Sequence, residues 1–421
     1  MHCQDYAVSR RRFLQGAGGA ATLLGMPISR LLAAKGTAAP AKAEHVIFFW
    51  NSGGMSHIDT WDPKPGRPTQ GEFEPIKTSA DGIQISEIFP QLAKQMHHCS
   101  LVRSIAGTKG DHGQATYELQ TGYEELSTTL VYPGLGSIVV HEKDRLGDLP
   151  SYVSISGQAP RAGYLGQKCA AYFVGQPGEP DPYLRFPIGI GETRGNKRID
   201  ALARMNRRTS AKYGSSAMKS GETAVVDAVA LMRSPSLKAF ELKDVNPKTI
   251  ERYGDTDFGR GTLLAKRLVE TGVRFVQVNR GGFDTHNNNF DAMRAHGEVM
   301  DPAMASLIED LAASGRLEKT LILMLSEFGR TPKINQNAGR DHHAKVFSCF
   351  LAGGGVKGGQ VVGASDKDGV APAERPVKPY DVHATVCHAL GINGSKEIMT
   401  PLELPMRLVR EGGEPVKELF V

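Results

Sequence analysis

Short apolar runs alternate with helical patterns along most of the chain, and this alternation limits the folds open to it. The run 45–50 (HVIFFW) ends in a tight turn at 51–54. Another run, 321–325, follows a helical pattern at 304–311 that stops at Gly315. A strand that is apolar at every position is buried on both faces, as in parallel sheets. The pattern therefore predicts an α/β fold with a mostly parallel central sheet covered by helices on both sides.

Other segments extend the same pattern. Further strands are predicted at 101–105, 273–278 and 346–351, and further helices run through Leu263, Leu264 and Leu268 before Gly272 and through Val382, Val386 and Leu390 before Gly391. The segment 191–257 differs, because it is rich in Arg, Lys and Ser, and we predict a helical insertion or cap there. Its basic cluster at 204–212 is either a solvated helix face or a surface that faces an anionic substrate.

The first 43 residues have the pattern of an export signal. Residues 9–14 read S-R-R-x-F-L, an uncharged Gly- and Ala-rich stretch follows at 13–29, and the triplet Ala41-Lys42-Ala43 offers a cleavage site. This predicts a twin-arginine signal peptide at 1–43, a domain at 44–421, and a periplasmic or cell-envelope location reached through the twin-arginine export machinery. A stable transmembrane anchor is not expected, since the run is shorter than the roughly 20 apolar residues of a span.

Charge and cysteine content exclude several classes. The 421 residues carry a formal net charge of +5, but removal of 1–43 takes away six basic residues and one acidic residue and leaves 44 of each. A nucleic-acid partner is therefore not expected, and no phosphate-binding G-x-x-x-x-G-K-[ST] motif is present. The four cysteines beyond residue 43 are scattered without a C-x-x-C pair, so we predict buried free thiols.

Polar residues that can bind metal follow three of the predicted strands, in the segments 51–59, 281–286 and 326–343. In open α/β sheets, ligands bind beyond the carboxyl ends of the strands. Carboxylate and imidazole groups are normal ligands of zinc or manganese, and crowded carboxylates repel one another unless a cation balances them. Taken singly, each residue has a simpler explanation as a helix cap, a turn cap or a solvated side chain. Together they predict a site for one or two divalent ions (zinc, manganese or calcium), formed by Asp284, His286, Glu327, Asp341, His342 and His343.

Several longer motifs carry a family resemblance. They read GGMSHIDTWDPKP, DHGQATYELQTGY, FDTHNNN, SEFGRTP, GRDHH and AGGGVKGGQVVGASDKDG. With the twin-arginine start, they resemble an exported bacterial family, domain of unknown function 1501, over essentially the whole chain after residue 43. That family is similar to the alkaline phosphatase and sulfatase superfamily. The resemblance implies an alkaline-phosphatase-like three-layer sandwich and metal-dependent hydrolysis of a phosphate or sulfate ester, carried by a small molecule or a glycan.

The resemblance also assigns roles to single positions. Asp284 and His286 resemble the paired metal ligands of the superfamily. The segment from Ser326 to Gly329 resembles its Ser-Asp-His-Gly motif, in which Glu327 keeps the carboxylate and Phe328 lacks the imidazole. His342 or His343 would supply the missing nitrogen.

The nucleophile position departs from the superfamily pattern. Counting back from Thr121-Gly122 places it at His112, where Ser, Thr or Cys would be usual. The His112 side chain can act as a general acid or base, as a metal ligand or as a nucleophile. Arg330 and Arg340 are either clamps for an anionic oxygen or ordinary surface arginines. Two functions stay open: an exported ester hydrolase, and an inactive relative that binds an anionic glycan or a cell-envelope partner.

Overall fold

The computed structural model describes residues 40–125, 129–179, 184, 186, 189–213 and 228–420. Residues 1–39 of the signal peptide predicted at 1–43 lie outside the described residues. Within the described ranges, the central sheet has eight strands: β1 (His45–Asn51), β2 (Cys99–Ile105), β3 (Tyr152–Ile155), β4 (Tyr172–Val174), β5 (Phe275–Arg280), β6 (Thr320–Leu325), β7 (Phe347–Ala352) and β8 (Gln360–Val362). Their spatial order is β8-β2-β7-β6-β1-β5-β3-β4. Only β7 runs antiparallel to its neighbours in this sheet, so the predicted, mostly parallel arrangement is confirmed.

The helices connect these strands or follow them. They are α1 (His112–Thr121), α2 (Leu135–Glu142), α3 (Glu192–Tyr213), α4 (Pro247–Tyr253), α5 (Asp257–Glu270), α6 (Asn289–Ala313) and α7 (Pro379–Ala389). Short 3₁₀ helices lie at Leu92–His98, Gly163–Leu165, Gln167–Cys169, Pro235–Phe240, Leu317–Lys319 and Lys417–Phe420. Four two-stranded ribbons pair Pro75–Lys77 with Gln84–Ser86, Gly329–Arg330 with His342–His343, Ala364–Ser365 with Pro372–Glu374, and Glu397–Met399 with Pro405–Arg407. None of the helices in the described part of the chain has the length and apolar character needed to cross a bilayer.

Strand β1 shows why the fold has three layers. All seven of its residues are buried, and alternate side chains point to opposite faces of the sheet. Ile47 and Phe49 belong to a hydrophobic cluster with residues of α5 and α6. Val46, Phe48 and Trp50 belong to a second cluster, with residues of α2 and α7. The sheet is therefore the middle layer between two layers of helices, as predicted.

The four cysteines in the described part of the chain are buried. Cys99, Cys169, Cys349 and Cys387 form no disulfide, which confirms the prediction of free thiols.

At the start of the described chain, the backbone N–H groups of Lys42 and Ala43 both donate to Ala389 O, at 2.8 and 2.9 Å. The packed structure thus begins before the cleavage point predicted after Ala43.

Candidate metal centre

Three segments meet at the carboxyl edge of the sheet. The loop after β5 carries Asp284 and His286. The loop between β6 and β7 begins with Ser326 and carries Asp341 and His342 near its other end. The third segment is the N-terminus of α1, which begins at His112 because the Asp111 side chain accepts a hydrogen bond from Gln114 N–H at 3.0 Å. The sheet edge therefore collects side chains that lie far apart in the sequence.

The imidazole of His112 is held in one orientation. Its Nδ1 lies 2.8 Å from Glu327 Oε1, which also accepts a hydrogen bond from Gly53 N–H at 2.7 Å. A carboxylate oxygen accepts, so Nδ1 of His112 is the donor, and in the neutral imidazole Nε2 presents a lone pair. That Nε2 is buried without a hydrogen-bond partner and lies 3.3 Å from Asp284 Oδ2. An orphaned buried nitrogen beside a carboxylate is the arrangement expected of a metal ligand.

His342 presents its Nε2 atom to the same carboxylate. Its Nδ1 lies 2.8 Å from Gly110 O, and a carbonyl oxygen can only accept, so Nδ1–H is the donor. The Nε2 atom is left with a lone pair, 3.2 Å from Asp284 Oδ1.

His286 repeats the pattern a third time. Its Nδ1 lies 2.7 Å from Asp341 Oδ1, and Asn335 Nδ2 donates to the same oxygen at 3.3 Å and to His286 O at 2.9 Å. The Nε2 atom of His286 lies 3.1 Å from Asp284 Oδ1 and 3.0 Å from His342 Nε2. Two nitrogen lone pairs at this distance repel each other unless a cation or a proton lies between them. Asn335 contributes to this geometry although nothing in the sequence pattern distinguished it.

Asp284 is kept ionised at the centre of the group. Partial burial would raise the pKa of Asp284, but the hydrogen bond and charge of Arg330 lower it. Arg330 Nη2 donates to Asp284 Oδ1 at 2.5 Å. A carboxylate that is charged at neutral pH and 48% exposed is available to a cation.

The donor set fits a transition-metal ion. Ligand atoms of His112, Asp284 and His342 all lie within 4.8 Å of one another, and within the described ranges no other group of this kind is found. His286 adds a third imidazole nitrogen on the same carboxylate. Three neutral imidazoles and one carboxylate suit zinc or manganese, whereas calcium takes six to eight oxygen ligands. The donor set therefore fits a divalent transition-metal ion such as zinc or manganese better than calcium.

Three residues of the predicted ligand set have other positions. Glu327 and Asp341 lie behind His112 and His286, where they accept the Nδ1 protons and so orient the rings. The His343 Nε2 atom contacts Val370 O at 2.8 Å, and its ring stacks on His57. Neighbouring residues of a strand point to opposite faces, so the pair His342–His343 can bring only one imidazole to the centre.

The two arginines predicted as clamps are buried, and their guanidinium groups donate hydrogen bonds to other parts of the chain. The Arg330 guanidinium donates to Gly53 O, Gly54 O and Arg340 O in addition to Asp284. With these partners it orients Asp284 and does not present a free fork to a substrate. A role of Arg330 as a clamp for an anionic oxygen stays a prediction.

Arg340 anchors the loop that carries His342. Its Nε and Nη2 atoms donate to Asp59 at 2.8 and 3.1 Å, and its guanidinium also donates to the carbonyl oxygens of Thr69 and Pro332. Both members of the pair are fully buried. One side chain thus links the turn after β1 to the loop between β6 and β7.

Replacement of Asp59 by alanine is expected to lower the free energy of unfolding by about 3–5 kcal/mol, because it leaves the Arg340 charge buried without a counter-ion. Urea denaturation of the purified variants measures this change. Asp291→Ala is the matched control, since Asp291 pairs with Arg294 on the surface and is 86% exposed; such pairs contribute little. A loss of stability no larger than that of the control would show that the buried pair is not needed.

The family described as "Protein of unknown function (DUF1501)" matches residues 43–420. The chain belongs to this family. The resemblance predicted from its motifs is thereby confirmed. No curated protein matches this DUF1501 chain.

Solved structures similar to the DUF1501 chain include sulfatases and a member of the alkaline phosphatase superfamily. The PsFucS1 sulfatase from Pseudoalteromonas sp. is 14% identical with a TM-score of 0.40, over 93% of this chain and 74% of that one. The phosphonate monoester hydrolase of Agrobacterium radiobacter is 11% identical with a TM-score of 0.38, over 90% and 77%. An alkaline phosphatase superfamily protein from Vibrio parahaemolyticus is 10% identical with a TM-score of 0.39, over 85% and 68%.

Proposed function

We propose that the protein is an exported, metal-dependent hydrolase of a sulfate or phosphate ester. One observation carries the proposal: three histidines use their Nδ1–H groups on fixed acceptors and direct their Nε2 lone pairs to the Asp284 carboxylate. The family resemblance read from the motifs supports the same class of reaction. The N-terminus of α1 adds the partial positive charge of a helix end, which favours an anionic group beside His112.

The residues divide into ligands and supports. His112, His286, His342 and Asp284 would hold the ion, while Glu327, Asp341 and Gly110 O fix the three rings and Arg330 fixes Asp284. When bound, such an ion would polarise an ester oxygen and lower the pKa of a water molecule. We therefore assign His112 to metal binding and not to nucleophilic attack.

The reaction needs no covalent intermediate with the protein. A water oxygen forms the new bond to sulfur or phosphorus, the bond from that atom to the ester oxygen breaks, and the released alcohol oxygen takes a proton. For a sulfate ester the balance is R–O–SO₃⁻ + H₂O → R–OH + HSO₄⁻. Water as the attacking group agrees with the absence of Ser, Thr or Cys at the start of α1.

The purified protein is expected to contain about one zinc or manganese ion and to hydrolyse at least one member of a panel of 4-nitrophenyl sulfate, phosphate and phosphonate esters. Chelation should abolish turnover, and the missing metal alone should restore it. Asp284→Ala should lose both the metal and the activity. Protein that binds metal but hydrolyses no ester would contradict the proposal and favour an inactive binding protein. A histidine at the nucleophile position, His112, also agrees with an inactive protein.

Export is part of the proposal and rests on the twin-arginine pattern at 9–14. Exchange of both Arg10 and Arg11 for lysine is expected to retain the protein in the cytoplasm, whereas Arg12→Lys, at the variable position of the motif, should not. Immunoblots of periplasmic and cytoplasmic fractions measure the difference. Equal export of both variants would contradict a twin-arginine signal. The mass of the exported protein would also show where cleavage occurs. It would distinguish cleavage after Ala43 from cleavage before Lys42, which would keep the two residues that bond to Ala389 O.

A further inference from the structure

A cavity of about 690 Å³ opens beside the metal centre. Its lining includes Ser52, directly before the Gly53 N–H that holds Glu327, and Gly113, directly after His112. It also includes Gly281, in the loop that leads to Asp284. The cavity therefore touches two of the three segments that build the centre, and also the turn after β1 that holds Glu327. A ligand in it would lie next to the ion-binding residues.

A polar group in the cavity wall has no partner. Ser156 follows β3, and its buried Oγ makes no hydrogen bond within the described part of the chain. Ser156 also has a positive φ of 58°, which a residue other than glycine adopts only when its surroundings enforce it. Buried polar groups are normally hydrogen-bonded, so this hydroxyl indicates a ligand that supplies the missing partner. Gln120 on α1, which is 5% exposed, lines the same cavity.

The rest of the lining defines the chemistry of that ligand. Trp50 and Tyr132 supply aromatic surface, and Tyr132 is fixed by stacking on Tyr123 with ring centroids 4.2 Å apart. Gln158 and Thr116 add uncharged hydrogen-bonding groups. The charged lining residues are one acid, Glu125, and one base, Arg161. Neutral donors and acceptors around aromatic surface suit a ligand with several hydroxyl groups and apolar C–H faces.

We propose that this cavity binds the sugar ring of a sulfated or phosphorylated saccharide, with the ester group directed to the metal centre. The proposal rests on the proposed function and names the alcohol that the hydrolysis releases. The amide of Gln120 and the hydroxyl of Ser156 bind sugar hydroxyls. Trp50 and Tyr132 contact the ring.

The experiment separates binding of the sugar from turnover of the ester. Saturation-transfer NMR with galactose, fucose, N-acetylglucosamine and lactose measures sugar binding without any reaction. The values of kcat/KM for galactose 6-sulfate, fucose 4-sulfate, N-acetylglucosamine 6-sulfate and the corresponding sugar phosphates are compared with those for 4-nitrophenyl sulfate and phosphate. Gln120→Leu keeps the size of the side chain, and Gln114→Leu, on the exposed side of α1, is the matched control.

At least one neutral sugar is expected to give a transfer signal that Gln120→Leu removes and Gln114→Leu retains. Loss of one such hydrogen bond should reduce kcat/KM for the preferred sugar ester by about tenfold, with little change for the aryl ester. Hydrolysis of aryl esters without sugar binding, or with equal effects of both variants, would overturn the sugar assignment and leave the proposed function standing. Sugar binding that depends on Gln120, without hydrolysis of any ester, would instead overturn the proposed function and keep the cavity as a sugar site.

Discussion

His342→Ala is expected to purify with almost no bound metal, because the variant would lose one of the four proposed ligands. Removal of a residue that merely orients a ligand typically costs 10- to 100-fold in metal affinity, so loss of the ligand itself should exceed about 100-fold. Elemental analysis of the purified protein and competitive titration against a chelating dye measure this loss.

The neighbouring His343 gives a matched control. His343→Ala removes the same side chain one position along the same short strand, but this imidazole contacts Val370 O and His57 and not Asp284. Its metal content is expected to equal that of the wild-type protein. Glu327→Gln should fall between the two, since the amide changes the acceptor that orients His112. Equal metal loss in His342→Ala and His343→Ala would contradict the ligand assignment.

The protein is also expected to lose several kcal/mol of stability between pH 7 and pH 4, since three buried histidines must stay neutral in the fold. Burial lowers the pKa of His57, His296 and His383 to about 4, against about 6.5 in an unfolded chain. Below pH 6.5 the unfolded chain binds protons that the folded chain does not. The stabilisation is therefore complete above about pH 6.5 and disappears as the pH falls to about 4, at roughly 3 kcal/mol for each histidine.

His383→Gln tests this explanation. His383 Nε2 donates to Leu119 O at 2.8 Å, and a glutamine amide can donate to the same carbonyl without titrating. In urea denaturation, the stability lost between pH 7 and pH 5 should be about 2 kcal/mol smaller in the variant than in the wild type. Glu118 and Asp301 act in the opposite direction, because burial raises the pKa of both carboxyl groups, but the variant leaves them unchanged. An unaltered pH profile would show that the acid sensitivity arises elsewhere.

The sheet could be predicted from the sequence because its strands are apolar at every position. The runs 45–50 and 321–325 lie within β1 and β6, with ends that differ by a residue at most. The predicted strand 273–278 begins two residues before β5 and ends two residues before it, since β5 runs from Phe275 to Arg280. Asn279 and Arg280 are polar, so hydrophobicity alone could not include them. Backbone pairing with β1 decides their conformation.

The candidate site could be predicted only in part. Residues that can bind metal come after the predicted strands, and this places Asp284, His286 and His342 at one edge of the sheet. Which atoms face inward depends on partners with no sequence signal, such as the carbonyl of Gly110. The roles of Glu327 and Asp341 as supports depend in the same way on hydrogen bonds between distant segments, and the cavity depends on the loops after β3.

The reversed direction of β7 has a consequence for how this site can change. Because β6 and β7 are antiparallel neighbours, the loop at 326–346 leaves and re-enters the sheet at the same edge. A parallel neighbour would have required a crossover to the opposite edge. The loop can therefore lengthen, shorten or be exchanged between relatives without moving a strand, provided that Arg340 still meets Asp59. Variation among related chains in this part of the site can therefore be confined to a single loop.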